Sequence, residues 1–275
     1  MLGAMAFFAV ADTFVKLAAQ QLPPAHTLLL LVLGTAFVFT LLAKLQGGTL
    51  LDRRALHPML LIRYLCEIVG TFGLVLAFAT VPLSTVGAII QATPLVVTLG
   101  AVLVLREKVS PLQWLAIGVG FLGVLLVVQP TSTGFDSAVL WALAAMLGLS
   151  GRDLVTRVIP SGLPSAVMAA YTMLAAVPFA LLWSSMAEPT LMPQDIPWLA
   201  TFGMVGCGAV AYLMLIASIR AAPVSVVTPF RYARLIFLLV LGIMVFGEEP
   251  NVWVLLGSAL IVVAGIAAMR FGRNA

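Results

Sequence analysis

The chain has 275 residues, and its Lys+Arg 14 and Asp+Glu 10 make only 9% of it charged, against 63% hydrophobic. A soluble domain carries about 25% charge, so this composition leaves too little polar surface to coat a water-soluble globule. The formal charge of +4 gathers on no soluble face that would meet nucleic acid, and Cys66 and Cys207 lie inside apolar runs rather than forming a disulfide framework.

Apolar runs bounded by charges, Pro and Gly predict ten membrane spans, near 2–19, 26–45, 58–79, 83–104, 111–129, 137–158, 165–185, 196–218, 223–246 and 251–269. Span one carries Asp12 and Lys16, an interruption that argues against a cleaved signal peptide. Span three carries Arg63 and Glu67, four residues apart and so on one helical face. Pro82 separates spans three and four, and Pro94 is expected to bend span four beside the polar Gln91 and Thr93. Spans five and ten hold Gly118, Gly120, Gly123 and Gly257 and no charge, which suits a scaffold or homodimer face. Span six carries Arg152, Asp153 and Arg157, and span nine carries Arg231 and Arg234 just after Pro229, a second expected bend.

Orientation is read from Lys and Arg alone. Nine of them (Lys44, Arg53, Arg54, Arg106, Lys108, Arg157, Arg220, Arg270 and Arg273) fall on one side, and only Lys16 falls on the other. The bias predicts a multi-pass protein of the cell inner membrane with both termini cytoplasmic.

Shifting the chain by 141 residues aligns Asp12 with Asp153, Lys16 with Arg157, Pro23 with Pro164, Cys66 with Cys207, Pro82 with Pro223, Ser84 with Ser225 and Glu107 with Glu248. Composition alone explains coincidental matches of Leu and of Ala but does not put rare residues into one register. The predicted fold is therefore all-α and integral to the membrane, with ten transmembrane helices arranged as two inverted five-helix repeats, residues 1–134 and 135–275. An odd number of spans per half gives the halves opposite orientation, as in many secondary transporters.

Val81-Pro-Leu-Ser84, Gln91-Ala-Thr-Pro94 and Leu105-Arg-Glu107 around span four, Gly118-Val-Gly-Phe-Leu-Gly123 in span five, and the echoes Ala222-Pro-Val-Ser225 and Phe246-Gly-Glu248 carry a family likeness. In these the chain resembles the EamA-type drug/metabolite transporter superfamily, which includes bacterial amino-acid exporters. The resemblance implies a transporter, not an enzyme. The chain departs from that pattern where Leu235 stands opposite Pro94, beside Arg231 and Arg234.

A charge at the bilayer centre costs about 2.5–3.5 kcal/mol on insertion scales, so charges within spans are functional candidates. Glu67, Gln91, Thr93, Arg152, Tyr212, Arg231 and Arg234 are the expected substrate-binding set. Glu67 is the expected partner of the span-nine arginines if a substrate carboxylate is not, and Arg63 with Glu67 reads alternatively as a self-neutralising pair. Asp12 with Lys16, and Asp153 with Arg157, are expected gating pairs at opposite mouths of one pathway, or simple interfacial anchors. Tyr64, Trp141 and Tyr171 offer rings for stacking.

No Gly-Lys-Ser/Thr phosphate loop, metal-ligand cluster or paired His or Asp motif stands in the sequence, so no cofactor or metal is expected. The expected function is gradient-driven export of small metabolites, amino acids first, by alternating access. Transport of organic anions or drug-like compounds, a passive channel and a lipid-acting membrane enzyme are the alternatives. The expected partners are a small-molecule substrate, the lipid bilayer and a second copy through spans five and ten.

Overall fold

The computed structural model describes residues 1–47, 57–106, 110–129, 136–158, 164–193, 195–221 and 228–272. Among them the chain is helical with no strand: α1 Leu2–Gln21, α2 Pro24–Leu45, α3 Pro58–Thr80, α4 Leu83–Ile90, α5 Thr93–Leu105, α6 Pro111–Val128, α7 Val139–Val158, α8 Ser165–Ala187, α9 Trp198–Ala221, a 3-10 turn Thr228–Tyr232, α10 Ala233–Phe246 and α11 Val252–Gly272. Nine helical stretches among the described residues are long and apolar enough to cross a membrane, with α4 and α5 forming one of them. The other predicted span, 223–246, is described only from Thr228, as the 3-10 turn and α10.

Local chemistry sets the helix ends. Proline opens α2, α3 and α6 in the first turn, where its missing N–H costs nothing. Ser110 accepts the Gln113 N–H at 3.2 Å and Asn251 Oδ1 accepts the Val254 N–H at 2.9 Å, capping α6 and α11. Span four does not merely bend. It stops at Gln91–Ala92 and restarts at Thr93, with Pro94 in the first turn of the new helix rather than at a kink. Pro229 likewise falls in the 3-10 turn, so span nine enters α10 through a tighter coil.

The helices pair between the two parts of the chain: α1 lies along α9, α2 along α8, α3 along α7 and α6 along α11. All eight residues of α4 are buried at the centre, in a core that includes Leu29, Val32, Val75, Phe78, Leu95, Leu238 and Ile261. Large apolar residues face outward along the helices, among them Phe37, Leu103, Leu182, Leu199, Phe202 and Val263, as a lipid-facing surface requires.

Among the described residues, two helix crossings bring a glycine directly against the backbone of the facing helix. A Cβ on Gly123 would lie 2.8 Å from the Gly257 carbonyl oxygen, and one on Gly257 would lie 2.6 Å from the Gly123 oxygen. The glycines of spans five and ten thus join α6 to α11 within one chain, whereas Gly118 meets nothing within 4 Å. Gly123→Val should lower the thermal unfolding midpoint in detergent, since overpacking costs about 1–3 kcal/mol. Gly118→Val should leave the midpoint unchanged, and equal midpoints for the two variants would contradict this packing.

Candidate functional site

The second glycine crossing assembles the ionic interior. A Cβ on Gly148 of α7 would sit 2.5 Å from the Gly70 nitrogen of α3, so only glycine lets these backbones touch. One turn away the approach delivers Arg152 to Glu67. Arg152 Nη1 donates to both Glu67 carboxylate oxygens at 3.2 Å, and Nε donates to Asp153 Oδ1 at 2.8 Å. Glu67 is buried, while Arg152 and Asp153 keep 24% and 27% of their side chains exposed. The acid–base–acid cluster is therefore partly accessible at Arg152 and Asp153 and closed at Glu67.

Arg63 does not close on Glu67. Its Nε donates to Thr156 Oγ1 at 2.9 Å and its Nη1 donates to Thr172 Oγ1. Those hydroxyls donate in turn to the backbone oxygens of Arg152 and Met168, at 2.6 and 2.7 Å. Neutral acceptors from α7 and α8 thus fix the guanidinium. Tyr212 of α9 lies within electrostatic range of Arg63, Glu67 and Arg152, and its ring meets Phe39 edge-on at 4.8 Å.

The broken spans supply the facing wall. Gln91 Nε2, at the end of α4, donates to the Arg231 backbone oxygen at 3.0 Å, tying the break in span four to the 3-10 turn of span nine. Thr93 is buried and spends its hydroxyl on the Ile90 oxygen at 2.6 Å, inside the same break. Arg234 pairs with Asp12 of α1 rather than Glu67: its Nε lies 2.9 Å from Asp12 Oδ2 and its Nη2 reaches the same oxygen. The Arg234 guanidinium also stacks over the Phe8 ring at 5.3 Å. Arg231 is exposed and, among the described residues, makes no side-chain hydrogen bond or ion pair. It lies within electrostatic range of Asp153, Arg152 and Arg234.

Asp12 and Lys16 therefore take different partners although they share a face of α1. Lys16 Nζ donates to the Val81 oxygen at 2.8 Å and to Glu248 Oε1 at 3.1 Å, and lies 5.0 Å from the centre of the Phe246 ring. Glu248, a connector residue that the sequence marks only as a repeat match and part of a family motif, also accepts the N–H groups of Leu83 and Ser84 and the Ser84 hydroxyl. Burial pushes its carboxyl up, but the Ser84 and Leu83 donors and the Lys16 ammonium outweigh that and leave it below the ordinary glutamate value. The repeated tract Pro-Leu-Ser84 with Phe-Gly-Glu248 was the available signal, because a helix N-terminus attracts a carboxylate. Asp153 meets Arg152, while the side chain of Arg157 lies outside the described residues.

Breaking one partner of a buried pair costs about 3–5 kcal/mol because it strands the other charge. Arg234→Ala should therefore lower the unfolding midpoint sharply, and Asp12→Ala with Arg234→Ala together should recover much of the loss. Arg231→Ala should cost little. Additive losses in the Asp12 and Arg234 variants would contradict the pairing.

The comparisons with known proteins agree with this architecture. The sequence model of the EamA-like transporter family matches residues 1–129 and again 136–270. The riboflavin transporter of Vibrio cholerae serotype O1 is 29% identical over 271 residues, which cover 96% of this chain and 89% of that protein. The pseudopaline exporter of Pseudomonas aeruginosa strain UCBPP-PA14 is 28% identical over 272 residues, covering 96% and 92%. The S-adenosylmethionine uptake transporter of Rickettsia prowazekii is 22% identical over 198 residues, covering 70% and 64%. Among solved structures, a crystal structure matches with a TM-score of 0.62 at 18% identity and covers 98% of each chain, a likeness of fold. With ten predicted spans, a charged interior and this match over both parts of its length, the chain belongs to the EamA-like transporter family.

Proposed function

We propose that this protein is a secondary transporter of the bacterial inner membrane that moves a small organic metabolite bearing an anionic group. One observation carries the reading: Arg231 is exposed and makes no ion pair among the described residues, beside the Gln91 amide that holds its backbone oxygen. The charge count makes the same point. Arg63, Arg152, Arg231 and Arg234 face three span carboxylates, Asp12, Glu67 and Asp153, and Lys16 is matched by Glu248. The described interior is left with one surplus positive charge, on a guanidinium that is open to an incoming anion.

Alternating access between two inverted five-helix halves is the transport mechanism we propose. The pairing of helices supports it: exchanging the halves turns the α1–α9 contact into the α3–α7 contact, and returns α2–α8 and α6–α11 to themselves. The family model's separate match to each half supports it too. In this reading both termini are cytoplasmic, spans five and ten form the scaffold on which a homodimer would build, and Asp12, Lys16, Asp153 and Arg157 serve the gates. Glu67, Gln91, Thr93, Arg152, Tyr212, Arg231 and Arg234 remain the proposed substrate-binding set, with Arg231 taking the anion.

Amino-acid export is the specific form that the family resemblance implies. It requires an ammonium to displace Arg152 from Glu67 or Asp153. Organic-anion transport needs only Arg231 and is the second reading, favoured by those occupied carboxylates.

Uptake of labelled amino acids and organic acids into proteoliposomes tests both. Saturable uptake of at least one acid should fall about tenfold or more in Arg231→Gln, the loss expected when a charge-assisted bond goes, and Arg231→Lys should retain part of it. Transport of an acid that is indifferent to Arg231→Gln would contradict the assignment.

A further inference from the structure

We infer that Glu248 is the latch that closes one mouth of the transporter, by serving as the N-terminal cap of α4 from the other half of the chain. Glu248 lies between α10 and α11, beyond the Lys16 end of the bundle's interior. Its Oε1 accepts from Lys16 Nζ and from the Leu83 N–H, and its Oε2 accepts from the Ser84 N–H at 2.9 Å and the Ser84 hydroxyl at 2.7 Å. Every donor belongs to residues 16–84 and the acceptor to residue 248. One carboxylate therefore ties α1 and the head of α4 to the end of α10. Lys16 extends the tie to the Val81 oxygen at the end of α3.

The fold is shaped to bring this carboxylate in. Gly247 takes a left-handed φ of +63°, and the Gly247 and Glu248 N–H groups turn back to the Ile243 and Gly242 oxygens, both at 3.1 Å. The chain thereby reverses and points Glu248 inward. A Cβ on Gly242 would lie 2.6 Å from Glu248 Oε2, so the carboxylate occupies the space a side chain would take.

The two ends of the interior differ in the way a closed mouth and an open mouth would. The Lys16 and Glu248 side chains are 10% and 9% exposed. At the other end, beyond the start of α10, Arg231 is exposed and Arg152 and Asp153 are partly so. Opening the Glu248 end requires the halves to part there, which strips the carboxylate of all its donors at once. Glu248 therefore sets the population of the state open at that end, and weakening it should shift the population. A helix N-terminus held by an acid of the same half would not do this.

The inference rests on the alternating-access reading above, and its test needs no substrate. Phe8→Cys, beside Arg234 and beneath the latch, is introduced with Cys66→Ser and Cys207→Ser. The rate of its modification by a membrane-impermeant thiol reagent is measured from the Glu248 side of right-side-out vesicles. Glu248→Gln should raise that rate about tenfold, the population change that loss of a charge-assisted bond brings. Gly242→Ala, which leaves the carboxylate intact but displaces it, should raise the rate in the same direction. Faster modification in both variants supports the latch. An unchanged or slower rate in folded protein of either variant, judged by a monodisperse elution profile, would overturn it. Failure of the anion assignment would instead leave these rates altered and change only transport.

Discussion

The cost of holding charge in a hydrocarbon environment governs this molecule. Charged side chains within the spans, among them Asp12, Arg63, Glu67, Arg152, Asp153, Arg231 and Arg234, must find partners inside the bundle or face an aqueous space. Helices far apart in sequence supply those partners: α1 meets α10 through Asp12 and Arg234, and α3 meets α7 through Glu67 and Arg152. Pairs of this kind stabilise little in net terms, because desolvation offsets most of the attraction. Their consequence is specificity, since a helix register that leaves one partner behind strands a charge. The glycine contact of Gly70 with Gly148 fixes that register for α3 and α7 by letting the backbones touch one turn from the ion pair.

The broken helices follow from the same constraint. A continuous span buries its backbone dipoles, whereas a break exposes them and is tolerated only inside protein or beside water. Span four breaks at Gln91–Ala92 and span nine passes through a 3-10 turn at Thr228–Tyr232. The two irregular segments meet, and the Gln91 amide satisfies the Arg231 carbonyl. Tyr232 anchors the turn: its hydroxyl occupies the space that a Cβ on Gly265 would take. Irregular backbone, a polar amide and a guanidinium with no ion pair among the described residues thus converge at one place.

Much of this was legible in the sequence. Long apolar runs gave the helices to within a few residues, because the thickness of a bilayer sets their length and proline marks their starts. The positions of the breaks followed from Pro94 and Pro229, though the chain answers Pro94 by ending one helix and beginning another. The charged residues themselves were recognisable. Their pairings were not, because helical periodicity says which residues share a face and nothing about which distant helix that face will meet. Arg63 and Glu67 share a face yet go to Thr156, Thr172 and Arg152. Arg234 was expected to meet Glu67 or a substrate carboxylate and meets Asp12, 222 residues away. Glu248 was hidden for another reason: it stands in a connector, where an acid reads as solvated, and only the chain reversal at Gly247 turns it inward.

The central claim is that the two ends of this interior open in alternation as the halves rock against each other. Spin-label distances in proteoliposomes test that most directly, with one pair at Gln21 and Glu249 and a second at Met59 and Phe230, all exposed positions. On addition of a transported substrate, the first pair should gain a longer-distance population while the second pair gains a shorter one. Ends that both lengthen together would describe a channel, and distances that never respond to a transported substrate would contradict alternating access.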